Sequence, residues 1–410
     1  MVRVFLLLCI GTFAALAPPV RAETFELREK RIRIHKKNAD VFPEIELRGQ
    51  GSIPGVGAEP RYRSDRPQRF HARFGPGDGI TVGFAVDERG GPGKGFDLLY
   101  ADVEGKGDLE RAKRLGGKPR SRGASYEDTE FPSFDIRLPA GDSTRDYPVR
   151  ARFSVRKIEP PDASLYLSAL TCLEGEVQFG ETKQEIVVFD ANCNGVFGEK
   201  GRPGEGRAIQ GDRIWIGARV ASLESAYVEA TPLGKYTLFE GEYYEIDFPA
   251  ADRVEIAKAE VPLGRIKVSN PGFLLELVRQ DGVLYVGNPD SDEIGIPVGS
   301  YRVYTPGFRR RYRGSVWELE GEPGGCDAKF EVAEGSVTEI AVGPPLRLVI
   351  VSALRPMGNG VIASFDFRIE GSEKERYRFL RKDGKKVELP EISIRDQANR
   401  EVKSGQFEYG

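Results

Sequence analysis

Histidine is nearly missing from this chain of 410 residues: His35 and His71 are the only two. A multi-histidine zinc site working with a histidine base would need more imidazoles than that. The sequence also has no H-E-x-x-H, no G-x-S-x-G and no C-x-x-C, so zincin, α/β-hydrolase and thioredoxin-type chemistries lack their residues. Long apolar stretches of 3.6 period are absent, which excludes a helical bundle. Methionine, tryptophan and cysteine are scarce, at two, two and four. Glycine and proline are not: 49 and 27 residues make up about a fifth of the chain, well above the roughly 12% that is usual, and such a chain turns often.

The first segment reads as an address. Arg3 precedes an unbroken apolar or small run from Val4 to Ala17, followed by Pro18, Pro19 and Val20-Arg21-Ala22. This is the pattern of a secretory signal peptide, residues 1–22, cleaved after Ala22. The run spans about 21 Å as a helix, short of the roughly 30 Å hydrocarbon core, and Leu8 before Cys9 does not suit a lipidation signal. The mature protein is expected to be secreted, periplasmic or at the cell surface, with no membrane span. Removing residues 1–22 takes away Arg3 and Arg21 and no acid, so the net charge of −3 becomes −5. An acidic balance argues against nucleic acid as a partner.

The mature chain reads as all-β: tandem β-sandwich modules of immunoglobulin-like or prealbumin-like type. Short alternating runs are punctuated by Gly, Asp-Gly and Pro. One predicted hairpin joins Glu174–Phe179 to Gln184–Phe189 through Gly180-Glu181-Thr182-Lys183, and a second joins Tyr236–Phe239 to Glu242–Phe248 across Glu240-Gly241. The single helical hint is Asp108 to Leu115, with Leu109, Ala112 and Leu115 three apart. Glu240-Gly241, Pro262-Leu263 and Arg279-x-Asp281-Gly282 recur in order as Glu334-Gly335, Pro345-Leu346 and Arg381-x-Asp383-Gly384. Two related modules would produce this, and so would ordinary turn chemistry. Pro160-Pro161 and Pro344-Pro345 suggest linkers, giving expected domains 23–158, 159–258, 259–343 and 344–410.

The stretch Ile296-Pro297-Val298-Gly299-Ser300-Tyr301-Arg302-Val303 resembles the P-x-G-x-Y-x-V segment of prealbumin-like and carboxypeptidase regulatory-like β-sandwiches. The resemblance covers about 80 residues and implies a small accessory sandwich; it brings no catalytic residue with it.

The sharpest chemical signal is Asp190-Ala-Asn192-Cys-Asn194-Gly195-Val196-Phe197-Gly-Glu199. Oxygen side chains at positions 1, 3 and 5, Gly at 6 and a backbone carbonyl at 7 resemble the first two-thirds of an EF-hand-type calcium loop. The expected metal ligands are Asp190, Asn192, Asn194, the Val196 carbonyl and Glu199, and the expected cofactor is calcium. Position 12 is Gly201, where a bidentate Glu belongs, and the preceding residues alternate as a strand. With one certain carboxylate, affinity falls toward the ~10⁻⁴ to 10⁻³ M of extracellular modules. The alternative is an Asx-turn in which Asp and Asn bond their own backbone. Asp102-Val-Glu104-Gly-Lys106-Gly107-Asp108 reads as a degenerate copy, because the Lys106 ammonium cannot coordinate a cation.

Arginines interleave with aromatics from Tyr301 to Trp317, either as a polysaccharide-binding surface or as a strand pair with Arg stems over its solvent face. The 63 acids are too many to nominate a glycosidase pair. The glycines at 75–79 and 90–95 do not form a P-loop, because Gly95 follows Gly93-Lys94. The function expected is therefore an exported, non-enzymatic structural or adhesion-type protein, possible partners being cell-surface polysaccharide or other extracellular proteins. A polysaccharide-binding protein and an acid-pair hydrolase are the alternatives. An antiparallel hairpin turning at 180–183 would set Cys172 opposite Ala191, near enough to Cys193 for a disulfide and leaving Cys326 free; two reduced, buried thiols are the alternative.

Overall fold

The computed structural model describes residues 22–34, 41–122, 126–141, 143–156, 162–204, 209–288, 291–357, 360–388, 391–395 and 397–406. The signal-peptide cleavage site and His35 adjoin or lie within the stretches outside this set. The described chain is all-β, with one helix, Leu223–Glu229, and no helix long and apolar enough to cross a membrane.

Two antiparallel sheets share the first core. One runs Gln68–Phe74, Ile80–Asp87, Leu98–Ala101 and Lys113–Gly116; the other centres on Ser143–Arg156, paired with Phe134–Ala140, Tyr126–Glu130 and Asp162–Ala169. Period-2 alternation sends Phe70, Phe84 and Leu99 from one sheet against Phe134, Ile136, Tyr147 and Phe153 from the other. Ser143–Arg156 and Asp162–Ala169, the strands on either side of the expected boundary at 158, pair with each other; residue 158 and Pro160-Pro161 lie outside the described residues. At its rim Glu44 bonds Arg150 at 2.9 Å and Arg152 through both carboxylate oxygens.

The central unit is built on Thr171–Phe179 and Thr182–Phe189, which pair with each other and, on either side, with Arg28–Arg31 and Arg213–Gly217. Both faces of this sheet are covered. Val177, Phe179, Ile186 and Val188 face Tyr244, Ile246, Val254 and Ile256 of a neighbouring sheet. Cys172, Val187, Phe189 and Trp215 face the helix through Ala226 and Tyr227. The helix starts at Ser222, whose side chain accepts from Ser225 N. The hairpin expected at 174–189 is present, but its turn is two residues, Gly180-Glu181, with Phe179 opposite Thr182.

That register corrects the cysteine expectation. Cys172 lies opposite Phe189, not Ala191. Its side chain enters the core under the helix, whereas Cys193 enters the first core, so the two thiols belong to different interiors and both are free. The helical expectation at 108–115 is also overturned: bends lead into the strand Lys113–Gly116. Leu109 packs in a small core with Ile53, Ala85 and Tyr100, whereas Leu115 enters the first core, so side chains spaced three apart are buried in two different places and not along one helix face.

The C-terminal unit holds Leu263–Val268 between Glu293–Pro297 and Val337–Ile340, beside a nine-stranded sheet. Tyr301, in the segment that resembles prealbumin-like domains, is buried and donates its hydroxyl to the Pro297 carbonyl at 2.6 Å. Strands from both sides of residue 344 share the large sheet, among them Gly299–Tyr312 and Gly360–Glu370. Arg279-x-Asp281-Gly282 and Arg381-x-Asp383-Gly384 each turn a hairpin of that same sheet.

Candidate functional site

Asp190 follows the last paired residue of Thr182–Phe189, and Asp212 precedes the first of Arg213–Gly217. Phe189 is in register with Arg213, so the next positions outward are Asp190 and Asp212 themselves. Antiparallel pairing thus brings two acids together across 22 residues of sequence, and both are essentially without solvent exposure.

The loop between them is ordered from Asp190 outward. Its Oδ1 accepts from Asn194 N at 3.1 Å, and its Oδ2 accepts from Gly195 N at 2.7 Å and from the Tyr147 hydroxyl at 2.6 Å. Gly195 has φ of +78°, and a Cβ there would run into Leu138. Cys193 is also left-handed, at φ +51°, which swings its thiol into the first core. Asn194 Oδ1 accepts from Val196 N at 2.8 Å, the Asx-turn foreseen as the alternative reading.

Glu199 closes this half of the loop. Its Oε2 accepts from Asn192 Nδ2 at 2.8 Å and from Asn194 Nδ2 at 2.5 Å. Asp212 Oδ2 accepts from the amides of Gly198 and Glu199, at 2.6 and 3.1 Å. Of the expected ligands, then, Asn192, Asn194 and Glu199 meet directly, and Asp190 sits behind them against Tyr147. Among the described residues no three His, Cys, Asp or Glu side chains converge tightly enough to hold a metal ion as they stand.

The electrostatics are one-sided. Among the described residues none of Asp190, Glu199 and Asp212 is in an ion pair; nearby Lys200 bonds Asp247 and the Ile246 carbonyl, and Arg145 bonds the Gly195 carbonyl. Burial, with the Glu199 charge adding to it, pushes the Asp190 carboxyl up to about 6 against the pull of its three hydrogen bonds. Burial and then the Asp190 charge push Asp212 well above the usual carboxylate range. Two buried oxygens of this loop region have no hydrogen-bond partner among the described residues: Asp212 Oδ1 and Asn192 Oδ1.

The Asp102 turn is a useful contrast. Asp102 accepts from Lys106 N at 3.1 Å and Gly107 N at 2.6 Å, the same two offsets that Asp190 uses. The capped turn is therefore a structural unit in its own right. What the Asp190 loop adds is the pair of asparagines, Glu199 and Asp212. Sequence reasoning missed Asp212; the available signal was an acid just before an apolar strand, Ile214-Trp215-Ile216, that could pair with the strand leading into the loop.

The Arg-aromatic stretch lies on Gly299–Tyr312 and Ser315–Gly321. Tyr301, Tyr304 and Phe308 are buried and Arg309, Arg310 and Arg311 are exposed. Glu318 pairs with Arg309 at 3.2 Å, whereas Glu320 and Glu322 pair with Arg381 and Arg376. In an open groove of 640 Å³ lined by Arg28, Lys30, Glu174, Glu176 and Glu185, the two basic residues both bond Glu174. Compared with protein-family models, curated proteins and solved structures, the chain finds no match.

Proposed function

We propose that the protein is a non-enzymatic structural or adhesion-type component acting outside the cytoplasm, assembled from immunoglobulin-like and prealbumin-like modules and stabilised by calcium at the Asp190 loop. One observation supports the ion above the others: Asn192, Asn194 and Glu199 meet beside buried Asp190 and Asp212, three acids with no ion-pair partner among the described residues. Calcium takes six to eight oxygen ligands in flexible geometry, and Asn side chains supply a neutral oxygen at the same reach as the N–H₂ they now present. Turning the Asn192 amide about its terminal torsion exchanges a donor on Glu199 for an oxygen facing a cation, and the same turn of Asn194 would also release the bond its oxygen accepts from Val196 N. Calorimetric titration of calcium into metal-stripped protein tests this: saturable binding of one ion is expected, and no heat and no binding would remove calcium.

A second reading, polysaccharide binding, is favoured by the row Arg310, Trp317 and Lys382 across three neighbouring strands, with the Lys382 ammonium 5.6 Å from the Trp317 ring. Glycan-array binding that survives chelator would support it.

A further inference from the structure

We infer that Asp212 supplies the ligand that the loop lacks at its twelfth position, so that one calcium ion bridges the loop 190–199 to the strand Arg213–Gly217. The assignment rests on the loop taking calcium, as proposed above.

In an EF-hand loop the closing carboxylate arrives from the helix that follows. Here the short strand Arg202–Pro203 follows; Gly201 stands at position 12, and its amide is used in a bond to the Leu233 carbonyl at 2.7 Å. The chain instead returns through the antiparallel strand, and Asp212 precedes the paired position Arg213 just as Asp190 follows its partner Phe189. Asp212 is held there twice over: the amides of Gly198 and Glu199 bond its Oδ2, and its own amide donates to the Glu199 carbonyl at 2.9 Å. One oxygen is thereby fixed against the Glu199 backbone, and the other, Oδ1, has no hydrogen-bond partner among the described residues, in a residue of 0% exposure. A buried carboxylate oxygen with no donor costs free energy that a cation would recover. Asn192 Oδ1 is buried and unpartnered in the same loop.

The bridge has consequences at both ends. Asp190 reaches Tyr147, and Asn194 O accepts from Gly75 N at 2.7 Å, both in the first unit. Phe197 packs in the core that also holds Ile186 and Ile214, and Lys200 bonds the Ile246 carbonyl. An ion here would brace the joint between the two units as well as the loop. Asp212 adds a third carboxylate to Asp190 and Glu199, which raises the expected affinity to a dissociation constant tighter than the ~10⁻⁴ M end of the extracellular range.

The test is calcium titration of metal-stripped full-length mature protein, wild type and Asp212→Asn, with Asp102→Asn as the control turn. Asn keeps an acceptor for the Gly198 and Glu199 amides. Wild-type binding weakened about tenfold or more in Asp212→Asn and unchanged in Asp102→Asn is the expected result. Equal affinity in wild type and Asp212→Asn would overturn the role of Asp212 while leaving calcium at the loop. No binding by wild type would overturn both. If Asp212→Asn does not fold, hydrogen exchange on wild type decides: calcium should slow exchange at 211–214 as well as at 190–199, and protection confined to 190–199 would refute the bridge.

Discussion

Tyr147 donates its hydroxyl to Asp190 Oδ2 at 2.6 Å, and through this bond the strand Ser143–Arg156 of the first unit holds the loop of the second. Both groups are fully buried, so neither can exchange its partner for water. Tyr147→Phe should therefore destabilise the protein by about 1.5–3 kcal/mol, the range for a hydrogen bond to an ionised group. Denaturant unfolding measures it, and a loss under about 0.5 kcal/mol would mean that the bond is not a tie between the units.

Gly195 is needed for two reasons at once, its left-handed φ and the proximity of Leu138. Gly195→Ala is expected to cost about 1–3 kcal/mol. Gly314, at φ +82° with nothing near a Cβ, is the comparison. Thermal unfolding of both alanine variants should show the larger drop at 195; equal drops would place the whole cost in backbone strain.

Stability should fall in acid through Glu44. Burial raises its carboxyl, but hydrogen bonds and charge from Arg152 and Arg150 outweigh that and hold it below the usual 4.5. A carboxyl lowered in the folded state contributes stability that is present above about pH 4.5 and lost as pH falls through the folded value. Glu44→Gln should flatten that part of the stability-pH curve and cost about 2–3 kcal/mol at neutral pH. This is below the roughly 3–5 kcal/mol of a fully buried pair, because the carboxylate keeps 19% of its surface exposed. An unchanged curve in the variant would assign acid sensitivity to other groups.

The thiols should be reduced and inert. Burial pushes Cys172 up to about 12 and Cys326 up to about 11, and Cys193 is fully enclosed in the first core. Native protein should resist alkylation, and denaturation without reductant should expose three thiols at Cys172, Cys193 and Cys326. Finding one thiol would restore the Cys172–Cys193 link.

How much could be read from the sequence varied with range. The hairpin at 174–189 was legible because Val177, Phe179, Ile186 and Val188 alternate, but its register was not. Gly180-Glu181 and the longer Gly180–Lys183 are equally good turns in sequence, and one choice moves Cys172 by two positions. The helix Leu223–Glu229 was missed, since seven residues carry too little periodicity; it exists because Ala226 and Tyr227 pack on Phe189 and Trp215. The Asp190 loop was visible as a local pattern, each oxygen a fixed step from the last. Asp212 and Tyr147 were not, because both arrive through strand pairing and packing that only the folded chain defines.

The most direct test of calcium at the Asp190 loop is the melting temperature of wild type and Asp190→Ala in about 10 mM calcium and in chelator. At a dissociation constant of ~10⁻⁴ M, the weak limit for this loop with Asp212 as a ligand, that concentration stabilises the native state by about 2.7 kcal/mol, a rise of several degrees, and tighter binding raises it further. The rise should appear in wild type and vanish in Asp190→Ala. Equal melting temperatures of wild type in calcium and in chelator, or a rise that persists in Asp190→Ala, would contradict a calcium ion at this loop.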